Sequence, residues 1–215
     1  MSQRETVDRI LDAASILFAE RGFAETSLRT ITGKANVNLA AVNYHFGTKK
    51  ALIQGVFSRF LQPFCAALEA GLDALEAEHD APRQVSASQL LQVLFAALKE
   101  AMTTLGEQKE RFMRLVALAY TQVQAHLHTH LSENFGSTYH RFTERLKTAV
   151  PHLDPIAFYW RLNFLLGASI FTLSSFDSIQ GILLAEHQVN MNIHDAVVLL
   201  IPALAGMLEG ANAQV

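Results

Sequence analysis

Residues 36–50 read NVNLAAVNYHFGTKK. Asn38 is a helix N-cap residue, Leu39 to His45 form a short helix behind it, and Gly47 breaks that helix. Thr48 then caps the next helix. The face of the short helix carries the small residues Ala40 and Ala41 and the polar residues Asn43, Tyr44 and His45, and Lys49 and Lys50 follow the turn. A thin polar helix with basic residues just beyond its end is what reading a DNA groove requires.

Outward from this stretch the pattern stays helical. Ser2 to Glu5 is a capping box, and Val7, Ile10, Leu11, Ala14, Leu17 and Phe18 follow at i, i+3, i+4 spacing. Gly22 ends this first helix as a C′ residue. Thr26 can cap a second helix from Ser27 to about Ala35, with Leu28 and Ile31 facing inward. Ala35, Asn36 and Val37 join it to the short helix, the pattern of a helix-turn-helix. The helix after Thr48 buries Leu52, Ile53, Val56, Phe57, Phe60 and Leu61.

The chain has 215 residues, half of them hydrophobic, with 11 Gly and 5 Pro and no hairpin signal. This predicts an all-α protein with a sizeable core. Beyond a polar loop at 76–88 around Pro82, helices are expected at about 88–105, 109–124, 126–149, 155–176 and 194–210. Breaks are expected near Gly106, near Pro151 and over 177–193. The division expected is a DNA-binding domain at 1–50 and a ligand-binding and dimerisation domain at 51–215.

The single Cys65 excludes an internal disulfide and a cysteine zinc cage. No signal peptide is visible, and the apolar runs at 164–173 and 196–208 fall short of the ~20 residues of a bilayer span. A soluble cytoplasmic protein with no membrane partner is expected. The net charge of −3 hides an asymmetry: residues 1–60 carry +3 and residues 61–215 carry −6. Positive charge confined to one small module fits a module that meets phosphate.

No Gly-rich phosphate loop, GxSxG, HExxH or paired-carboxylate motif is present, so neither an enzyme nor a cofactor is expected. His126 and His130 share a helix face, with Glu133 or Asn134 one turn on. They form a possible metal pair, but no cysteine supports it and no metal is expected.

For DNA, Asn38, Leu39, Ala40, Ala41 and Asn43 lie where a recognition helix meets base edges. Ala41 suits a thymine methyl, and Asn43 suits an adenine edge or a phosphate. Tyr44, His45, Thr48 and Lys49 suit phosphate, with Thr26, Ser27 and Arg29 as the matching contacts at the second helix. For a ligand, an apolar lining with one polar anchor is available in Met102, Phe112, Met113, Phe158, Phe164 and Phe171 with Arg114 or Arg161. The alternative is ordinary core packing for the aromatics and an internal ion pair for each arginine.

Residues 4–61 resemble the DNA-binding domain of TetR-family transcriptional regulators. The resemblance is carried by ILDAASILFAERGFAETSLRTIT, the helix-turn-helix and YHFGTKKAL. It implies that Tyr44, His45 and Phe46 close the recognition helix, with Phe46 in packing, and that Lys49 meets backbone phosphate. Ala40 stands where the family commonly has glycine, and Asn43 where a second tyrosine is frequent, so the operator is expected to differ. The resemblance further implies a TetR-like fold, a palindromic double-stranded operator and a homodimer. The helices at 155–176 and 194–208 would then pair with their symmetry mates through Leu166, Gly167, Ile170, Leu200 and Leu204.

The carboxy-terminal segments VFSRFLQPFCAALE, FMRLVALAYTQ and FYWRLNFLLGA are similar to the fatty-acid-responsive PsrA-type regulators of that family. This implies a repressor released by a long-chain fatty acid or acyl-CoA that controls fatty-acid metabolism genes. The alternative is a repressor answering another hydrophobic molecule, such as an efflux substrate.

Overall fold

Ten helices follow one another in the computed structural model, which describes residues 3–78, 85–105, 109–121 and 125–210. They are α1 (Gln3–Arg21), α2 (Leu28–Ala35), α3 (Leu39–His45), α4 (Lys49–Ala77) and α5 (Ala87–Leu105). After these come α6 (Lys109–Thr121), α7 (Ala125–Ala149), α8 (Pro155–Ser174), α9 (Phe176–His187) and α10 (Ile193–Glu209). Among the described residues there is no strand, so the chain is all-α as expected. Ser2, the loop around Pro82 and the break at Gly106 lie outside the described residues.

The expected break at 177–193 is half wrong: α9 occupies its first part. Serines and Asp177 mask the helix start, and no residue of α9 is buried, so no inward stripe marks it. Its end is a left-handed cap at Gln188 (φ 54°), whose N–H reaches the Leu184 and Leu183 carbonyls.

The chain divides into two compact units, residues 1–63 with 101–136 and residues 64–100 with 137–215. In the first unit α1 packs on α2, α3 and α6. Its core holds Ile10, Leu17, Phe18, Phe23, Ile31 and Val42, and Leu52, Phe57, Phe60 and Phe112 are also buried. Gly22 (φ 82°) ends α1 in the left-handed region that favours glycine, and its N–H bonds the Phe18 carbonyl at 2.9 Å.

In the second unit the distal part of α4 and helices α5, α7, α8 and α10 share a core. It contains Leu68, Leu72, Leu91, Phe95, Phe142, Leu146, Phe158 and Leu204. Gly71 lets α4 approach α5: a Cβ there would stand 2.7 Å from Val93 Cγ1. Arg141 of α7 bridges to Glu69, Asp73 (2.6 Å) and Glu76 (3.0 Å) of α4, and Arg145 adds a bond to Glu76 at 2.7 Å. The carboxylates raise the Arg141 pKa further.

Two helices do reach the length and hydropathy of a bilayer span, contrary to expectation: α4 (mean hydropathy 1.2) and α8 (1.3). The apolar run alone was too short in α8, but the whole helix of 20 residues is not. Core helices pass the same test. α4 supplies Leu52, Phe57 and Phe60 to one core and Leu68 and Leu72 to the other.

Candidate nucleic-acid interface

The recognition element is built by caps and clamps. Ser27 is the N-cap of α2: its Oγ accepts from Thr30 N at 3.1 Å. Asn36 takes the left-handed conformation (φ 50°) that turns the chain out of α2, and its N–H reaches the Gly33 and Thr32 carbonyls. Asn38 then caps α3, with Oδ1 accepting from Ala41 N at 2.7 Å. Thr48 opens α4 by accepting from Ala51 N at 3.1 Å. Gly47 (φ 71°) makes the turn between α3 and α4.

Sequence reasoning missed Arg9. Its guanidinium donates to the carbonyls of Ala35 and Asn36 (the latter at 2.9 Å), tying α1 to the turn between the two helices. An arginine on the polar side of an amphipathic helix gives no hint of acceptors 26 and 27 residues away. Phe46 lies against Gly55 of α4, where an added Cβ would be 3.1 Å from Phe46 Cε1. Phe46 is thus a packing residue, as the resemblance implied.

Burial separates the α3 residues. Val42 is fully buried and anchors the helix. Asn38, Leu39, Ala40, Asn43 and Tyr44 are exposed, Tyr44 at 77%. Ala41 and His45 are half-buried, and the Tyr44 and His45 rings meet edge to face at 5.0 Å. Ser27, Arg29 and Thr48 are exposed around this helix. Lys49 is half-buried, and its Nζ donates to the Ala24 carbonyl at 3.0 Å, bracing the turn between α1 and α2.

Thr26 departs from expectation. It is fully buried, its hydroxyl donates to the Gly22 and Leu17 carbonyls at 2.8 and 3.1 Å, and Ser27 rather than Thr26 caps α2. Thr26 closes the end of α1 and does not face the surface.

The histidines of α7 serve the same unit. His130 Nε2 shares a hydrogen bond with Ser58 Oγ at 2.8 Å, and Asn134 Nδ2 lies 3.3 Å from His130 Nδ1. The Gln54 side chain donates to the His126 carbonyl at 3.0 Å. Protein partners therefore engage both ring nitrogens of His130, an arrangement unlike a metal clamp. Burial, and then the neighbouring Lys50 and His130, push the His126 pKa below its ordinary 6.5.

A depressed histidine pKa favours the neutral form in the folded state, so its contribution is present above pH 6.5 and is lost as pH falls below that value. The thermal midpoint should drop more between pH 7.5 and pH 5.5 in the native protein than in His126→Gln. Equal drops would exclude His126 as the source.

The proposed ligand residues fall in both units. Met102, Phe112, Met113 and Arg114 belong to the first, and Phe158, Arg161, Phe164 and Phe171 to the second. Phe112 is buried, stacked at 3.7 Å on Phe60 and 6.0 Å from Phe57, and is thus a core residue. Phe158 is likewise core. Met102 and Met113 are half-buried and Arg114 is exposed.

Arg161 departs from the anchor role. Its Nη1 donates to the carbonyls of Met207 (3.1 Å), Leu208 (3.0 Å) and Gly210 (2.6 Å), capping the end of α10. Phe164 and Phe171 are 51% and 70% exposed.

Of the expected dimer contacts, Leu204 is fully buried in the core of its own unit and so cannot reach a partner. Leu200 also packs against that core. Leu166 and Ile170 are half-buried, and Gly167 is exposed with open space beside it.

Two family profiles match the chain. "Bacterial regulatory proteins, tetR family" covers residues 10–56, and "Tetracyclin repressor-like, C-terminal domain" covers residues 92–207. The "Probable HTH-type transcriptional regulator YttP" of Bacillus subtilis is 33% identical over 93 residues, 43% of this chain and 42% of that protein. An HTH-type transcriptional repressor of Mycobacterium tuberculosis (strain H37Rv) is 40% identical over 91 residues, 41% of this chain and 48% of that protein. The chain thus spans less than half the length of the curated relatives it matches.

Among solved structures, a tetR family regulator from Shewanella sp. PV-4 superposes with TM-score 0.60 at 20% identity, over 91% of this chain and 95% of that one. A Clostridium perfringens protein named for fatty acid metabolism regulation gives TM-score 0.56 at 19% identity, over 96% and 100%. These structures share the fold. With a carboxy-terminal profile over more than half its length and the amino-terminal one on the helix-turn-helix, the chain belongs to the TetR family of bacterial regulatory proteins.

Proposed function

We propose that this protein is a DNA-binding transcriptional regulator that reads a palindromic operator as a homodimer in the cytoplasm. The observation that carries the reading is α3. Val42 alone is buried, while Leu39, Ala40, Asn43 and Tyr44 point outward from a helix fixed by the Asn38 cap and the Arg9 clamp. Such a helix presents small and polar groups to a major groove. Asn43 is the base-reading candidate, with Asn38, Leu39, Ala40 and Ala41 beside it. Tyr44, His45, Thr48, Ser27 and Arg29 are the phosphate candidates, and Lys49 joins them if it exchanges the Ala24 carbonyl for phosphate. The 1–50 segment is the reading head, supported on α4 and α6 of its own unit.

Selection from random duplexes should return an inverted repeat. Tyr44→Ala should weaken binding roughly tenfold on every sequence, and Asn43→Ala should change the sequence selected. A selected pool with no inverted repeat would exclude the palindromic dimer reading.

The effector we propose is a hydrophobic carboxylate of the fatty-acid or acyl-CoA class, acting to release the operator. The similarity to PsrA-type regulators supports this, as does the structural neighbour named for fatty acid metabolism regulation. With Arg161 committed to α10, Arg114 is the remaining anchor of the two arginines. Oleoyl-CoA should release operator DNA from the native protein and do so less readily from Arg114→Ala. Release by efflux substrates instead would favour the other effector class.

A further inference from the structure

We infer that Arg9 is a positioning residue that sets how well α3 tells its operator from other DNA, without itself touching DNA. The inference rests on the reading of α3 as the groove helix. That helix is seven residues long and buries only Val42, so core packing fixes it at one point in its middle. Its carboxy-terminal end has a second fixed point in Phe46, which lies against Gly55 of α4. At the amino-terminal end Asn36, Asn38, Leu39 and Ala40 are all exposed, so little apolar packing holds it.

Arg9 holds that end by hydrogen bonds. The N–H groups of Asn36 and Val37 turn back to the Thr32 and Gly33 carbonyls at the end of α2. The later carbonyls of Ala35 and Asn36 both accept from the Arg9 Nη2, Asn36 at 2.9 Å. Asn36 stands two residues before the Asn38 cap, in a left-handed conformation (φ 50°) that costs a non-glycine residue some energy. The platform behind Arg9 is firm: Ile10 and Ala13 are buried, and Asp12, one turn on, is tied to Arg59 of α4 at 2.6 Å. A guanidinium is planar with donors in fixed directions, so it passes the position of α1 on to the turn.

Loss of this clamp acts unequally on the two ends of α3. The base-reading candidates Asn38, Leu39, Ala40 and Ala41 precede Val42, in the half that Arg9 holds. The phosphate candidates Tyr44, His45 and Thr48 follow it, and Ser27 and Arg29 belong to α2 and its cap. Freed at its amino-terminal end, α3 tilts about Val42 and Phe46. Base edges demand close placement, whereas contacts to phosphate carry no sequence information. Arg9 therefore acts on specificity, and non-specific binding survives its removal.

The test compares Arg9→Ala and Arg9→Met with the native full chain on the selected operator and on a random duplex, each across a salt series. Methionine keeps an apolar stem and removes only the donors, which guards against a loss of fold. Both variants should lose roughly tenfold in operator affinity, the scale of a mismatched base pair, and less than about twofold on the random duplex. Their salt slopes should match the native one. Equal loss on both duplexes would overturn the inference: with a slope lower by about one, Arg9 itself meets phosphate, and with an unchanged slope it serves only general stability. Native operator preference in both variants would overturn it as well. A native protein that shows no preference for any duplex would instead defeat the groove-helix reading. The clamp has a readout without DNA: amide hydrogen exchange over residues 36–43 should quicken in both variants while that over residues 10–18 stays native. Unchanged exchange over residues 36–43 would mean that Arg9 holds nothing there.

Discussion

With Val198 and Leu199 both replaced by glutamate, the protein is expected to sediment as a monomer and to lose operator affinity by on the order of a hundredfold. These two residues are 56% and 64% exposed on α10, and their neighbours Leu200 and Ile201 pack against the core instead. Ile156, Trp160, Phe164 and Phe171 of α8 add to the same unit's exposed apolar surface, at 74%, 58%, 51% and 70%.

So much aromatic and aliphatic surface on one unit is what an unpaired subunit interface looks like. Each such side chain contributes about 1.5–3 kcal/mol when covered. Two glutamates remove that contribution and add charge that a covered surface cannot solvate. Because both positions point away from the core, the monomer should keep its helical signal and its melting transition. A double variant that remains a dimer by sedimentation would exclude α10 as the contact. Gly167 and Gly206, each with open space where a Cβ would be, leave room for close helix approach on these two helices.

Phe23→Ala is expected to destabilise the protein by about 3–5 kcal/mol, read from the denaturant midpoint. Phe23 is 2% exposed and joins two rings: Phe18 at 5.4 Å and Phe57 at 6.3 Å. It follows directly on the Gly22 turn and ties the end of α1 to α4. Truncation leaves a ring-sized void between Phe18 and Phe57, because neighbours in a dense core relax only in part. A domain's whole stability is commonly about 5–15 kcal/mol, so operator binding at 37 °C should fall with it. Phe23→Leu, which keeps most of the volume, should cost much less. A Phe23→Ala midpoint equal to the native one would mean that the void refills and that the ring cluster is not the brace of this unit.

The two predictions rest on different kinds of legibility. Gly22, Asn38 and Thr48 act within four residues of their own positions, so their roles at helix ends could be read directly. The apolar spacing of Ile10, Leu11, Ala14, Leu17 and Phe18 likewise announced the buried stripe of α1. α9 left no such trace, since a helix with no buried residue has no inward stripe. Leu199 and Leu204 look alike in a run of apolar residues, yet one is 64% exposed and the other is fully buried. Periodicity cannot rank them, because α10 is apolar almost all round.

The sequence by itself determined the helical class, most of the helix ends and the recognition helix with its caps. Those depend on a 3.6-residue period and on side chains that bond backbone three residues away. Only the tertiary structure decided that Thr26 turns inward to the Leu17 and Gly22 carbonyls and that Arg9 holds the turn before α3. The same is true of Arg161, which caps α10 across 46 or more residues instead of waiting for a ligand. In each case the partner is a backbone carbonyl, which every residue carries. No pattern of side chains can therefore point to it until the chain has folded.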